Sequence, residues 1–198
     1  MPATPEPTTS LPRLTGRRAA LRGFREDDFE ALFSLHTDPE VMRYWSFPPW
    51  TEREQGREYF ARALAARDPN RMLCWAIHTL DDDALIGTST LFNINPSQGL
   101  AEIGYALGRA HWGAGIARDA VAQALDYAFD VLGVCRVEAD IDPRNIGSMR
   151  LVEALGFRQE GLLRERWHVG GETSDTAFYG LLAREWRERS DEVLSRAS

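Results

Sequence analysis

Hydrophobic spacing divides the chain into segments of two periods. "RRAALRGF" (17–24) reads as a first strand, and "EDDFEALFSLHTDPEVMRY" (26–44) follows with apolar residues at helical spacing and acids in its first turn. "TEREQGREYFARALAARDPN" (51–70) predicts a second helix, with Thr51 and Glu54 at capping-box spacing. Between them "WSFPPW" suits a rigid loop. "MLCWAIHTL" and "ALIGTSTLFNI", separated by "DDD", predict an antiparallel hairpin, and "GLAEIGYAL" (99–107) extends it to a three-stranded meander.

From Gly115 the period changes. Ile116, Ala117, Ala120, Val121, Ala124, Leu125, Ala128, Phe129 and Leu132 recur at three- and four-residue intervals, and Gly133 ends the helix they predict. "VCRVEADI" is then a buried strand, "NIGSMRLVEALGF" a short helix closed by Gly156, and 158–169 with 172–182 a hairpin around Gly170 and Gly171. A last helix begins near Ala183. Strand, two helices, three antiparallel strands, helix, strand, helix and hairpin make an α/β chain: a mixed sheet with helices packed on its faces. No repeat or composition shift divides it, so residues 13–198 are expected to form one domain behind a proline-rich, flexible leader, 1–12.

Composition narrows the function classes. With 198 residues, 43% of them hydrophobic, the chain can bury the core of one good-sized domain. A net charge of -7, from 23 basic and 30 acidic residues, argues against non-specific nucleic-acid binding and suits an amine or cationic substrate better. Cys74 and Cys135 match no metal or redox spacing and read as small buried apolar residues; His36, His78, His111 and His168 form no metal-ligand spacing either. No metal is expected. No apolar run approaches the roughly 20 residues that cross a bilayer, and no secretory signal stands at the start, so a soluble cytoplasmic protein is the expectation.

The candidate chemistry starts at "EIGYALGRAHWGAGIARDA" (102–120). A helix N-terminus offers unpaired N–H groups and about half a unit of positive charge, and Gly113 and Gly115 clear the approach to it. The amides of "GAGIA" can curl into an anion-binding nest, or the glycines can simply turn the chain. A nucleotide P-loop is excluded, because no Gly-Lys-Ser/Thr follows. A dinucleotide fingerprint would use Gly113, Gly115 and Asp140, but Arg118 occupies the third glycine's place and the preceding meander is antiparallel.

Taken with "DPRNIGSMRLVEALGF" one strand later, this turn resembles the GNAT superfamily of acetyl-CoA-dependent N-acetyltransferases, from about Leu14 to Trp186. "LRGFREDD", "HWGAGIARDA", "NIGSMRLVEALGF" and "FYGLLAREW" resemble its RimJ/RimL type, which acetylates N-terminal amines of ribosomal proteins. The resemblance implies a central twisted, mostly antiparallel sheet of about seven strands with helices on both faces. It implies acetyl-CoA as co-substrate, held by Trp112, Gly113, Ala114, Gly115, Ile116, Ala117 and Asn145. The pantetheine arm would pair with the chain at Ala106 and Leu107, where strands splay at a bulge that Gly108 permits. An oxyanion donor would be a main-chain N–H near Leu107. A homodimer is the expectation that related enzymes carry. Two positions depart from the pattern: Trp112 stands where many such loops have Gln or Arg, and Val152 stands where the family's usual tyrosine acid falls.

Acyl transfer to an amine needs that amine neutral, and an unperturbed chain terminus loses its proton near pH 8, a lysine only near about 10.4. Glu102, at the position of the general-base glutamate of several GNAT enzymes, is the candidate base, directly or through one water. Alternation places Glu102, Gly104 and Ala106 on one strand face and Ala101, Ile103 and Tyr105 on the other. Ser148 matches the RimJ/RimL position that meets the leaving thiolate. Asn145 can bind the cofactor, cap its helix, or both. Trp45, Phe47, Trp50 and Trp167 are the candidate acceptor wall, against a plain packing role. Three functions stay open: acetylation of a protein N-terminus, acetylation of a polyamine or amino sugar, and a silent CoA-binding module.

Overall fold

In the computed structural model, residues 11–65, 67–68 and 71–189 are described. One sheet contains nine strands: β1 (Leu14–Thr15), β2 (Ala20–Gly23), β3 (Arg67–Asp68), β4 (Met72–His78), β5 (Gly87–Asn95), β6 (Leu100–Leu107), β7 (Arg136–Ile141), β8 (Arg158–Val169) and β9 (Glu172–Leu182). Their order is β1-β2-β4-β5-β6-β7-β9-β8, with β3 paired to β4 beside β2. The seven longer strands are those expected from the sequence; β1 and β3 are two-residue additions. Helices α1 (Phe29–Thr37), α2 (Arg53–Ala65), α3 (Ile116–Asp126) and α4 (Ile146–Ala154) cover the sheet, and a further helix runs over 183–189.

Alternation along the strands feeds a core on each face. In β4, Leu73, Trp75 and Ile77 join the cluster built from α3, α4 and the helix over 183–189, through Val121, Leu125, Val152 and Trp186. Cys74 and Ala76 face the other way, into Leu32, Leu35 and Phe60 of α1 and α2. In β6, Ala101, Ile103 and Leu107 belong to the first core and Ala106 to the second. A strand buried on both faces has no solvent side, which is why β4 reads as one continuous apolar run.

Several local expectations change. The helix read over 26–44 is a 3-10 turn, Glu26–Asp28, followed by an α-helix ending at Thr37. Asp38 precedes Pro39 and is extended, at φ −74° and ψ 112°, because the proline ring disfavours a helical neighbour before it. At the start of α2 it is Gln55, not Glu54, that reaches back, its Oε1 accepting the amides of Thr51 and Glu52 at 3.0 and 3.1 Å. Glu54 pairs with Arg57 instead. Cys135 is exposed on the turn before β7, so only Cys74 is the small buried residue expected of both. Residues 1–10 of the leader lie outside the described residues, but the body already begins within it: Leu11 packs on the core, and the Pro12 carbonyl accepts the Trp75 indole N–H at 3.2 Å.

The feature that positions the site is the one parallel contact among the described strands. All other neighbours are antiparallel, whereas β6 and β7 run parallel and pair only at Leu100↔Arg136, Ala101↔Val137 and Glu102↔Glu138. Beyond that rung β6 stays paired to β5 as far as Leu107, and β7 to β9 as far as Ile141. The two strands therefore part and leave a V-shaped opening. The irregularity expected at 106–107 lies elsewhere: the bulge is in β5, between Phe92 and Asn95, with Asn93 at φ 48°. Gly108 has φ −59°, open to any residue.

Beneath β2, Arg22 and Asp28 form a buried, two-pronged ion pair with both N–O distances 2.7 Å. Asp28 also accepts the Arg25 amide at 2.7 Å, and Arg22 donates to the Asp83 carbonyl at 2.6 Å. Removing one charge leaves the other buried without compensation. Asp28→Asn is expected to cost about 3–5 kcal/mol in urea unfolding; a loss below about 1 kcal/mol would contradict the pair's structural role.

Candidate active site

The two helices that begin at the mouth of the V end their chains of N–H groups differently. Asn145 caps α4, its Oδ1 accepting the Ser148 amide at 3.0 Å. No side chain caps α3. Its N-terminus is instead approached through Gly113 and Gly115, both left-handed at φ 75° and 76°, where a side chain would strain the backbone. A Cβ at Gly113 would meet nothing within 4 Å, so the approach is open. The amides of Ile116, Ala117 and Arg118 are the unpaired first-turn donors of an 11-residue helix. Ala114 lies within the turn, and Trp112 braces it: its indole N–H donates to the Leu107 carbonyl at 2.6 Å, while the residue stays half exposed. These residues fit a diphosphate group by backbone donors and dipole alone.

Glu102 stands at the last paired rung, next to Glu138 of β7. Glu138 is occupied by Arg136, at 2.7 Å. Glu102 has no cation among the described residues; Asn93, raised by the β5 bulge, donates to its Oε1 at 2.8 Å. Its second oxygen takes no partner among the described residues. A half-buried carboxylate held by one neutral donor and open at the other oxygen can accept a proton. The family resemblance pointed to Glu102 but not to Asn93, whose role depends on a bulge that carries no glycine signal.

On the same face as Glu102, a cleft of about 350 Å³ opens between the sheet and the α1–α2 side. Trp45, Tyr59 and Phe92 form its apolar wall, Asn93 and Gly104 connect it to Glu102, and Arg71 supplies the one formal charge among the described lining residues. Of the four aromatic residues expected there, only Trp45 lines it. Trp50 is a core residue, 7% exposed and stacked on His36 at 4.2 Å. Phe47 stacks on the same imidazole at 6.0 Å, behind the cleft. Trp167 lies across the opening on β8, its indole N–H donating to Asp140 at 3.0 Å. Tyr59 was hidden from the sequence because helical spacing makes it a packing position.

Ser148 is half-buried in the first turn of α4, and the Tyr105 hydroxyl donates to its carbonyl at 3.4 Å. Tyr105 belongs to the part of β6 that has left β7, and burial pushes its phenol up to about 12, so it stays a protonated donor. Alternation assigns it only to the apolar face. Val152 is fully buried and reaches no part of the opening. Ala106 and Leu107 present main chain along the V, their side chains buried at 5% and 7%. No group of three or more His, Cys, Asp or Glu able to hold a metal occurs among the described residues, and no helix among them is long and apolar enough to cross a membrane.

The profile of the acetyltransferase (GNAT) domain family matches residues 18–158. The uncharacterized N-acetyltransferase p20 of Bacillus licheniformis is 36% identical over 169 residues, 85% of this chain and 95% of its own. The spermidine N(1)-acetyltransferase of Vibrio cholerae is 26% identical over 174 residues, 86% of this chain and 96% of its own. Among solved structures, Mycobacterium smegmatis RimJ in complex with CoA-disulfide superimposes with a TM-score of 0.74 at 26% identity, covering 91% of this chain and 90% of that one.

The aromatic cluster behind the cleft has a pH signature. His36 is fully buried, its Nδ1 faces the Leu32 carbonyl at 3.0 Å, and its Nε2 has no partner among the described residues. Burial pushes its pKa down to about 4. Unfolded, an imidazole takes its proton near pH 6.5, so between about 6.5 and 4 the unfolded chain binds more protons. Stability therefore falls as pH falls through that window. Over it, His36→Phe is expected to lose about 2–3 kcal/mol less than the wild type, read from urea titrations at each pH. Parallel stability curves would refute the assignment.

Proposed function

Because the chain belongs to the GNAT acetyltransferase family, we propose that it transfers acetyl from acetyl-CoA to the α-amine of a protein N-terminus by direct attack. That the chain is an acetyl-CoA-dependent N-acetyltransferase follows from the family; the acceptor and the residue roles are our reading. In it, the amides of 113–117 hold the diphosphate of the co-substrate, and the pantetheine arm runs along the unpaired edge of β6 past Ala106 and Leu107. The thioester then arrives beside Glu102.

Glu102 takes the proton of the incoming amine, directly or through a water. The neutral nitrogen attacks the thioester carbonyl, the tetrahedral oxyanion is met by main-chain N–H near Leu107, and the C–S bond breaks. As the amide forms, the nitrogen sheds its extra proton, and Ser148 or a water relays it to the departing thiolate, so that the hydroxyl ends the step protonated. Asn145 caps α4 by accepting the Ser148 amide. No covalent acyl-enzyme is required.

The observation that carries the acceptor assignment is the cleft's composition. Its wall is aromatic, and among the described residues its one formal charge is Arg71 and no carboxylate lines it. A polycation would have to bury several ammonium groups there against a guanidinium, whereas a chain terminus brings one amine, a single side chain and peptide groups. Similarity to M. smegmatis RimJ supports the same reading. Similarity to the V. cholerae spermidine acetyltransferase favours a polyamine acceptor, as does the row of acids Glu102, Glu138 and Asp140 on this sheet face. Amino sugars are a third arm of the test.

Thiol release from acetyl-CoA is the measurement. Peptides with apolar first residues are expected to accelerate it more than spermidine or glucosamine do; a preference for spermidine overturns the acceptor assignment. CoA binding with no acceleration by any amine would make the chain a silent binding module. Glu102→Gln is expected to lower kcat/KM by about 100-fold or more, most severely at low pH, where an α-amine of pKa about 8 is protonated. An unchanged rate removes Glu102 from the mechanism.

A further inference from the structure

The uncapped end of α3 has a neighbour some 100 residues earlier in the chain. The turn between β1 and β2 is strapped to the first turn of α3 by Asp119, whose carboxylate accepts the main-chain N–H of Arg17, Arg18 and Ala19 at 3.3, 2.9 and 3.0 Å. Gln123, one turn on, donates to the Ala19 carbonyl at 3.1 Å. The fit is close: a Cβ at Gly16 would lie 2.2 Å from Asp119 Oδ2. This strap fixes where the Arg18 side chain leaves the backbone.

That side chain lies over the glycine turn. Arg18 Nη1 donates to the Ala114 carbonyl at 3.0 Å, and an added Cβ at Gly115 would stand 3.5 Å from its Cδ and 3.7 Å from its Nε. A guanidinium has five N–H donors, and the Ala114 carbonyl uses one. Its side chain forms no ion pair among the described residues, unlike Arg13 and Arg25, which pair with Asp83. The residue is exposed, so its charge remains available beside the open space at Gly113.

We propose that Arg18 is a cofactor-binding residue: its guanidinium, laid across the Ala114 carbonyl by the Asp119 strap, holds the diphosphate of the acetyl donor alongside the α3 amides. This rests on the reading of the glycine turn as the cofactor's phosphate site. It adds a charge to a cradle otherwise made of backbone dipoles. Asp119 acts as a positioning residue.

The test compares two acetyl donors with one acceptor. S-Acetylpantetheine keeps the thioester and the arm but has no phosphate. With Arg18→Gln, KM for acetyl-CoA is expected to rise about ten-fold or more at nearly unchanged kcat, while KM for S-acetylpantetheine stays within about two-fold, since charge-assisted bonds to phosphate are the ones removed. Arg18→Lys should recover part of the loss by keeping the charge without the fork. Equal losses on both donors would show that Arg18 only pegs the turn, and no loss on either would make it a bystander; both overturn the inference. Calorimetric titration of the wild type with CoA separates the two readings. No binding overturns the cofactor reading and the inference with it, whereas binding that Arg18→Gln leaves unchanged overturns the inference alone.

Discussion

The architecture turns on a ladder that stops. β6 and β7 share three parallel rungs and then separate, because each remains hydrogen-bonded on its other side, to β5 and β9. Strands twist, and two strands committed to different partners cannot both follow the twist and each other. Main-chain groups on the inner edges are thereby left without ladder partners, a costly state for buried backbone. The opening is tolerable only where a polar molecule or water completes it. Glu102 sits on the last closed rung and Tyr105 three residues along one free edge, so the break in the sheet and the candidate chemistry share one location.

The paired helix ends express the same division of labour. α4 commits the Ser148 amide to Asn145; α3 has no such side-chain cap, and two left-handed glycines keep side chains away from its first turn. A cap contributes about 1 kcal/mol to a helix. Leaving α3 without one is consistent with a ligand taking the cap's place, and the tight packing of Ala120, Val121, Ala124 and Leu125 into the core supplies the helix's stability instead.

How much of this the sequence disclosed depended on whether the signal was local. The continuous apolar run at 72–80, the alternation at 99–107 and the three- and four-residue spacing after Gly115 are local signals, and they placed the strands and helices; Glu102 came from the family resemblance. Asp38 before Pro39 was equally local, and the end of α1 could have been read from it. Asn93 was not legible, since its left-handed backbone belongs to a bulge that only pairing with β6 creates. Trp50 and Trp45 are five residues apart in one loop, yet one fills the core and the other faces the cleft; composition cannot separate them. Arg18 and Asp119 were each visible, but nothing in either segment announces the other.

That last separation has a bearing on how the chain is made. The three amides of the first turn are satisfied by a carboxylate 100 residues later, so a nascent chain emerging from its N-terminus exposes them until α3 has been synthesised and docked. β2 can pair with β4 well before then. The outer strand and its turn should thus be among the last parts to settle, closing over the helix end only when most of the sheet is already in place.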